Sequence, residues 1–250
     1  MSENLHLAPL ARTWSKRVQL SHADREAILA LPFRRETFAK DEYLIRERQQ
    51  PTECTLLLRG FAYRQKVLRD GGRQIIAFLV PGEFADLQAN VLGTADHNVQ
   101  SLNRSEAAII PRAALLELAE VRPAVRRAMW IETLIGASIV REWVVNVGRR
   151  DSRARIAHLL CEIAIRLQGA GAGDGAMFDF PVTQEQLADA TGLTPVHTNR
   201  TLQALRREGL IQLTSGSLKI LNWHGLREVG DFDDLYLHQD GAAKQLDSLR

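Results

Sequence analysis

The chain has 250 residues, of which 45% are hydrophobic and 25% charged, and its formal net charge is +2. That length allows two domains with separate cores. The composition is that of an ordinary globular protein, which excludes a disordered polyelectrolyte and leaves any nucleic-acid surface to a local patch.

The cysteines Cys54 and Cys161 are few and far apart, which gives no disulfide framework, no paired metal motif and no iron–sulfur set. Both read as inert packing residues, with a redox role for one left open. The opening stretch MSENLHLAPLARTWSKR has no signal-peptide core, so a reducing, cytoplasmic setting is the expectation. Up to about residue 34 the chain reads as amphipathic helix, with Ser21 as an N-cap in LSHADREAILALPF. From about 35 to 111, short apolar runs (CTLLL, QIIAFLV, EAAIIP) alternate with the turn signals RDGG and PGE. That rhythm predicts an antiparallel domain of short strands.

Helix resumes at about Arg112. Pro123 suits the first turn of a long helix to Val147, with Gly148 as its stop. Ala128, Ile131, Ile135, Ser138, Glu142 and Val145 step three and four apart, close to a heptad seam, with Trp130, Leu134 and Val144 beside it. A helix apolar on more than one side predicts a two-fold homodimer contact. Glu132 and Arg141 make it a poor membrane span. Asp151 or Ser152 caps a further helix, RARIAHLLCEIAIRLQ, with Ile156, Leu159, Leu160 and Ile163 on one apolar face. GAGAGDGAM then reads as a flexible loop.

Thr183-Gln184-Glu185-Gln186 is a capping box that starts a short helix, and Gly192 can end it in the left-handed conformation. Thr194 caps a second helix with Pro195 in its first position, and two apolar runs around Thr214-Ser215-Gly216-Ser217 follow as a hairpin. Helix, glycine turn, helix and hairpin is the order of a winged helix-turn-helix. On the second helix, Thr198, Leu202 and Leu205 share the packed face, while Val196, Asn199, Arg200 and Gln203 point outward. Arginine can pair bidentately with guanine, asparagine with adenine, and an apolar side chain with a thymine methyl. Val196, Asn199 and Arg200 are therefore the candidate base readers. Thr183, Gln184, Thr194, His197 and Gln203 are the candidates for phosphate or flanking contacts. In the tail, Leu226, Val229, Phe232 and Leu235 are spaced for one apolar helix side, and the last ten residues or so read as disordered.

The stretch PVTQEQLADATGLTPVHTNRTLQALRREGLIQL resembles the winged helix of the Crp/Fnr family of bacterial transcription regulators. LLLRGFAYRQ and GGRQIIAFLVPGEF resemble that family's β-roll, which is similar to a cyclic-nucleotide-binding domain. The resemblance implies an α+β fold: an antiparallel β-roll with an N-terminal helix (1–122), a dimerisation helix and hinge (123–150), and a winged helix-turn-helix with its tail (151–250). It implies a homodimer on near-palindromic double-stranded DNA, Arg200 reading a guanine in each half-site, and RNA polymerase as a functional partner. Many members carry a glutamate where this chain has Val196, so thymine contact is the expectation there.

Members that bind cyclic AMP follow their Gly-Glu-hydrophobic turn with a glutamate for the ribose and an Arg-Ser or Arg-Thr pair for the phosphate. Here Gly82 and Glu83 keep the turn, but Leu87 stands near the glutamate position and His97 and Asn98 near the pair. A buried phosphodiester needs a permanent, bidentate cation, so ordinary cyclic-nucleotide control is not expected. The roll then either binds another small-molecule effector or is a ligand-free scaffold. The histidines form no haem-ligand pattern, and no phosphate loop, nucleophile elbow or zinc-protease motif points to an enzyme. Two other readings stay open: a regulator gated by cyclic nucleotide, and a winged helix that serves as a protein-interaction module.

Overall fold

The computed structural model describes residues 6–171, 176–214 and 216–239. Part of the glycine-alternating loop, Ser215 in the hairpin turn and the expected disordered end lie outside the described residues. The contacts divide the chain into two units, one of residues 1–66 and 77–136, the other of 67–76 and 137–250. The division falls inside the long helix, not at residues 122 and 150. That helix buries Val125, Ala128 and Met129 in the first unit's core, and Trp143 and Asn146 lie buried in its second half.

In the first unit, α1 (Ala8–Ser15) and α2 (His22–Leu29) precede two antiparallel sheets. Ser21 caps α2 as expected, and Asp24 completes a capping box with it. One sheet runs β1 (Arg34–Phe38), β7 (Ser105–Pro111), β3 (Glu53–Arg59). The other runs β2 (Tyr43–Ile45), β6 (Asn98–Ser101), β4 (Ala62–Val67), β5 (Arg73–Leu79). Leu57, Leu79, Ala85 and Val99 pack in one core, and Trp14, Leu56, Phe84, Ile110 and Leu115 in another that joins the helices to the strands. A short helix α3 (Ala89–Leu92) follows the Gly82-Glu83 turn, and α4 (Arg112–Val121) leads into α5 (Pro123–Arg149). Gly148, the expected stop, is a helical residue of α5. The chain instead turns at Asp151, whose extended backbone and side chain cap α6 (Ser152–Ala170) by accepting from Ala154 N.

The second unit is built around α6. The sequence predicts one apolar face, yet every residue from Ile156 to Leu167 is buried. α7 (Gln184–Thr191), α8 (Pro195–Arg207) and α9 (Trp223–Gly230) all pack against it, together with a 3-10 turn at Asp234–Leu237. The buried ionisable residues Glu162, Arg166 and His158 are paired. Glu162 accepts from Trp143 Nε1 at 2.9 Å, the Tyr236 hydroxyl at 3.0 Å and Arg166 Nη1 at 3.0 Å. His158 donates from Nδ1 to Gly230 O at 3.1 Å, and its Nε2 lies 3.1 Å from the Tyr236 hydroxyl.

The tail departs from its expected helical register. α9 ends at Gly230, and Asp231 takes a left-handed conformation at φ 45°. Leu226 and Phe232 are buried, but Leu235 is exposed, and Trp223 and Leu237 take the remaining core positions. A Cβ on Gly230 would come within 2.8 Å of the His158 backbone N, so glycine is what lets α9 cross α6 this closely.

Burial, and secondarily the Arg150 charge, lower the His158 pKa from 6.5 to about 4. Between those values the unfolded chain binds more protons than the folded one, so this group's contribution to stability is lost as pH falls through that window. The full loss is about 3 kcal/mol. His158→Gln is expected to flatten the dependence, measured as the change in urea midpoint between about pH 7 and about pH 5. Equal sensitivity in wild type and variant would show that this ring is not the group responsible.

Candidate nucleic-acid interface

The helix-turn-helix is set by local chemistry. Thr183 accepts from Gln186 N at 3.2 Å and donates its own N–H to Gln186 Oε1 at 2.9 Å, closing the expected capping box on α7. Gly192 ends α7 at φ +65°, and its N–H donates to Ala188 O. Thr194 caps α8 by accepting from His197 N at 3.3 Å, and Pro195 occupies the first turn. Thr198, Thr201, Leu202 and Leu205 are buried. Val196, Arg200, Gln203, Arg206 and Arg207 are exposed and Asn199 is half-buried, so the candidate base readers lie on the outer face of α8. Thr183, Gln184 and Thr194 are exposed at the starts of the two helices. His197 is also exposed, but its Nε2 lies 2.8 Å from Ser152 Oγ, a partner invisible in sequence spacing.

Further supports come from α6. Arg155 donates from Nε to Arg150 O at 2.8 Å and from Nη1 to Thr191 O at 3.1 Å, which pins the helix-turn-helix turn to the start of α6. Arg153 pairs with Glu208 at the far end of α8. The hairpin forms as expected from β9 (Ile211–Thr214) and β10 (Ser217–Ile220). A third strand, β8 (Met177–Asp179), pairs with β10, and its short MFD run carried no strand signal of its own.

In the roll, the degenerate cyclic-nucleotide positions turn to the chain's own groups. Gly82 N–H donates to Leu57 O at 2.8 Å, and Glu83 accepts from Val80 N at 3.2 Å. Leu87 is buried in the apolar core. His97 is buried with Nδ1 2.6 Å from Asp96, and Asn98 accepts from Glu47 N at 2.9 Å. Arg64 on β4 spends its guanidinium on two backbone carbonyls, Ala85 O and Phe84 O, both at 2.9 Å. Gln65 and Tyr63 both donate to Gln100, forming a neutral cluster. These residues do not fit a cyclic phosphodiester, because neither position expected to hold it carries a fixed positive charge.

The six expected seam residues of α5 divide. Ala128 and Ile135 are buried within the chain, Ile131 and Ser138 are half-buried, and Glu142 pairs with Arg150 at 2.7 Å. Only Val145 is exposed. The exposed apolar strip is displaced around the helix, to Trp130, Leu134, Val140 and Val144. The helix's own core needs took the predicted stripe and left its neighbour outside.

Cys54 and Cys161 are both buried. Burial pushes the Cys54 thiol up to about 12 and the Cys161 thiol upward as well, which fits inert packing residues. Among the described residues no helix is long and apolar enough to cross a membrane.

A two-sheet roll, a long helix and a winged helix-turn-helix define a class of DNA-binding transcription regulators. Residues 35–122 match the cyclic nucleotide-binding domain family, and residues 154–229 match the Crp-like helix-turn-helix domain family. The chain is 30% identical over 180 residues to the transcriptional activator protein FnrL of Cereibacter sphaeroides, covering 70% of this chain and 72% of that protein. It is 28% identical over 190 residues to the nitrogen fixation regulation protein FixK of Bradyrhizobium diazoefficiens, covering 76% and 78%. The solved structure of FixK2 from Bradyrhizobium japonicum shares the fold with a TM-score of 0.73 at 22% identity, covering 80% of this chain and 98% of that one. The chain belongs to the Crp/Fnr family of transcription regulators.

At Gly192 the turn requires a left-handed backbone, so Gly192→Ala is expected to cost about 1 kcal/mol. A lower Tm than wild type checks this, and an unchanged Tm would show that the turn relaxes at no cost.

Proposed function

We propose that the chain works in the cytoplasm as a homodimer that sets its two α8 helices in adjacent major grooves of a near-palindromic DNA site, without cyclic-nucleotide control. The observation that carries this reading is the outer face of α8, where Val196, Arg200 and Gln203 are exposed beside Asn199 while the opposite face is fully packed. Arg200 reads a guanine and Asn199 an adenine, and Val196 (64% exposed) packs on a thymine methyl. Thr183, Gln184, Thr194, His197 and Gln203 hold phosphates or flanking positions, helped by free N–H groups at the helix starts. Occupancy of the site then acts on RNA polymerase bound nearby. The α5 strip of Trp130, Leu134 and Val144 supports the homodimer, and the lack of a fixed cation at His97 and Asn98 supports independence from cyclic nucleotide.

DNA selection with the purified protein tests the whole reading. The expected outcome is a two-fold site with half-site centres about 34 Å apart. Arg200→Ala is expected to weaken specific binding by about 1–3 kcal/mol and to relax one base preference per half-site. Unchanged affinity and preference would remove Arg200 from base reading, and no saturable binding at modest salt would favour a protein-interaction module. Titration with cyclic AMP or cyclic GMP is expected to give no heat, and clear micromolar binding would overturn the effector assignment.

A further inference from the structure

Along α8, Val196, Arg200, Gln203 and Arg207 step four, three and four residues apart and form the exposed stripe that holds base-reading candidates. The next stripe round the helix is His197, Thr201, Ala204 and Glu208, at the same steps. The first turn of α6 meets this second stripe. His197 Nε2 lies 2.8 Å from Ser152 Oγ, and Arg153 pairs with Glu208. Two neighbouring residues of α6 thus hold one flank of the reading face near both its ends.

The Ser152 hydroxyl is not needed to start its own helix, because Asp151 is the cap of α6. Its partner is a ring on another helix. That ring is exposed, and its Nδ1 makes no hydrogen bond among the described residues. In a helix set in the major groove, the centre of the outer face meets base edges and the flanks meet the sugar–phosphate backbone. A phosphate oxygen only accepts. A neutral imidazole that serves it must carry its proton on Nδ1, which leaves Nε2 an acceptor. A hydroxyl can donate to that nitrogen, whereas a carbonyl in the same place could not.

We propose that Ser152 is a positioning residue of the DNA interface: it donates to His197 Nε2, and so holds the ring with Nδ1–H turned to a backbone phosphate beside the bases that α8 reads. This rests on the DNA-binding reading and deepens it, since α6 then takes part in recognition through a residue that touches no DNA. Without the hydroxyl, the exposed ring is free to turn and to exchange its two neutral forms, and each contact must first order it.

Fluorescence anisotropy of the full chain on the duplex recovered by DNA selection supplies the test. Ser152→Ala leaves the Asp151 cap in place and is expected to weaken binding about threefold, and His197→Ala about fivefold. The double variant is expected to bind no more weakly than His197→Ala alone. A merely structural role for Ser152 would lower affinity by the same factor with or without the ring. That result would overturn the proposal, as would a Ser152→Ala variant that binds like wild type. Ser152→Thr keeps the hydroxyl and is expected to restore wild-type affinity, and a loss equal to that of alanine would count against it.

Methylphosphonate linkages, placed one at a time in each half-site, identify the atom that Nδ1–H meets. At one position His197→Ala is expected to cost nothing further. Its full cost at every position, or a changed base preference, would remove the backbone contact. No saturable binding by wild type would overturn the DNA-binding reading itself.

Discussion

Glu162 sits near the centre of the buried stretch Ile156–Leu167 of α6, and the second unit is arranged around its needs. A carboxylate removed from water costs several kcal/mol unless its oxygens are satisfied. Burial pushes its pKa up, while Arg166, Trp143 and Tyr236 pull the other way. The partners come from three places: one turn along α6, the second half of α5, and the tail after α9. The polar centre therefore ties the long helix and the tail to the element that also carries α7 and α8. A purely apolar α6 could slide or rotate against its neighbours, whereas hydrogen bonds to Glu162 admit one register.

The helix-turn-helix was legible because its signals are local. A capping box, a left-handed glycine, a second cap and a proline in the first turn each act within four residues, and each forms as the sequence predicts. The roll was legible as strand rhythm, and the family resemblance supplied its topology. What could not be read depends on contacts distant in sequence. The periodicity of α6 suggested one buried face because His158, Glu162 and Arg166 look like a solvent side until Tyr236, Trp143 and Gly230 are in place. Of the seam expected on α5, Ala128 and Ile135 are buried within the chain, because heptad spacing identifies apolar residues without saying which ones the chain's own core will claim. β8 is three residues long and exists as a strand only because β10 pairs with it.

The roll keeps the backbone turn of the cyclic-nucleotide-binding family it matches, while its side chains depart from the pattern that would hold a cyclic phosphodiester. Gly82 and Glu83 still make the backbone turn, since that turn closes on Leu57 and Val80 and is part of the scaffold. The side chains around it bond partly to one another, while His97 Nε2, Gln65 Oε1 and Asn90 Oδ1 are buried without a hydrogen-bond partner among the described residues. Asp86 caps α3 by accepting from Ala89 N at 2.9 Å, and Asn90 donates to Asp86 O at 2.8 Å. Arg64 on β4 donates to the carbonyls of Phe84 and Ala85 that follow the turn.

Arg155 and His158 lie one helical turn apart on α6, and each fastens a different piece of chain. Arg155 holds the turn before α8 by way of Thr191 O, and His158 holds the end of α9 by way of Gly230 O. A guanidinium keeps its proton at every pH at which the protein is folded, and an imidazole does not. Mild acid therefore acts on the two fastenings unequally. Protonation brings a charge into the buried site beneath the tail, although Nδ1 keeps donating to Gly230 O, while the clamp on the turn before α8 stays as it was.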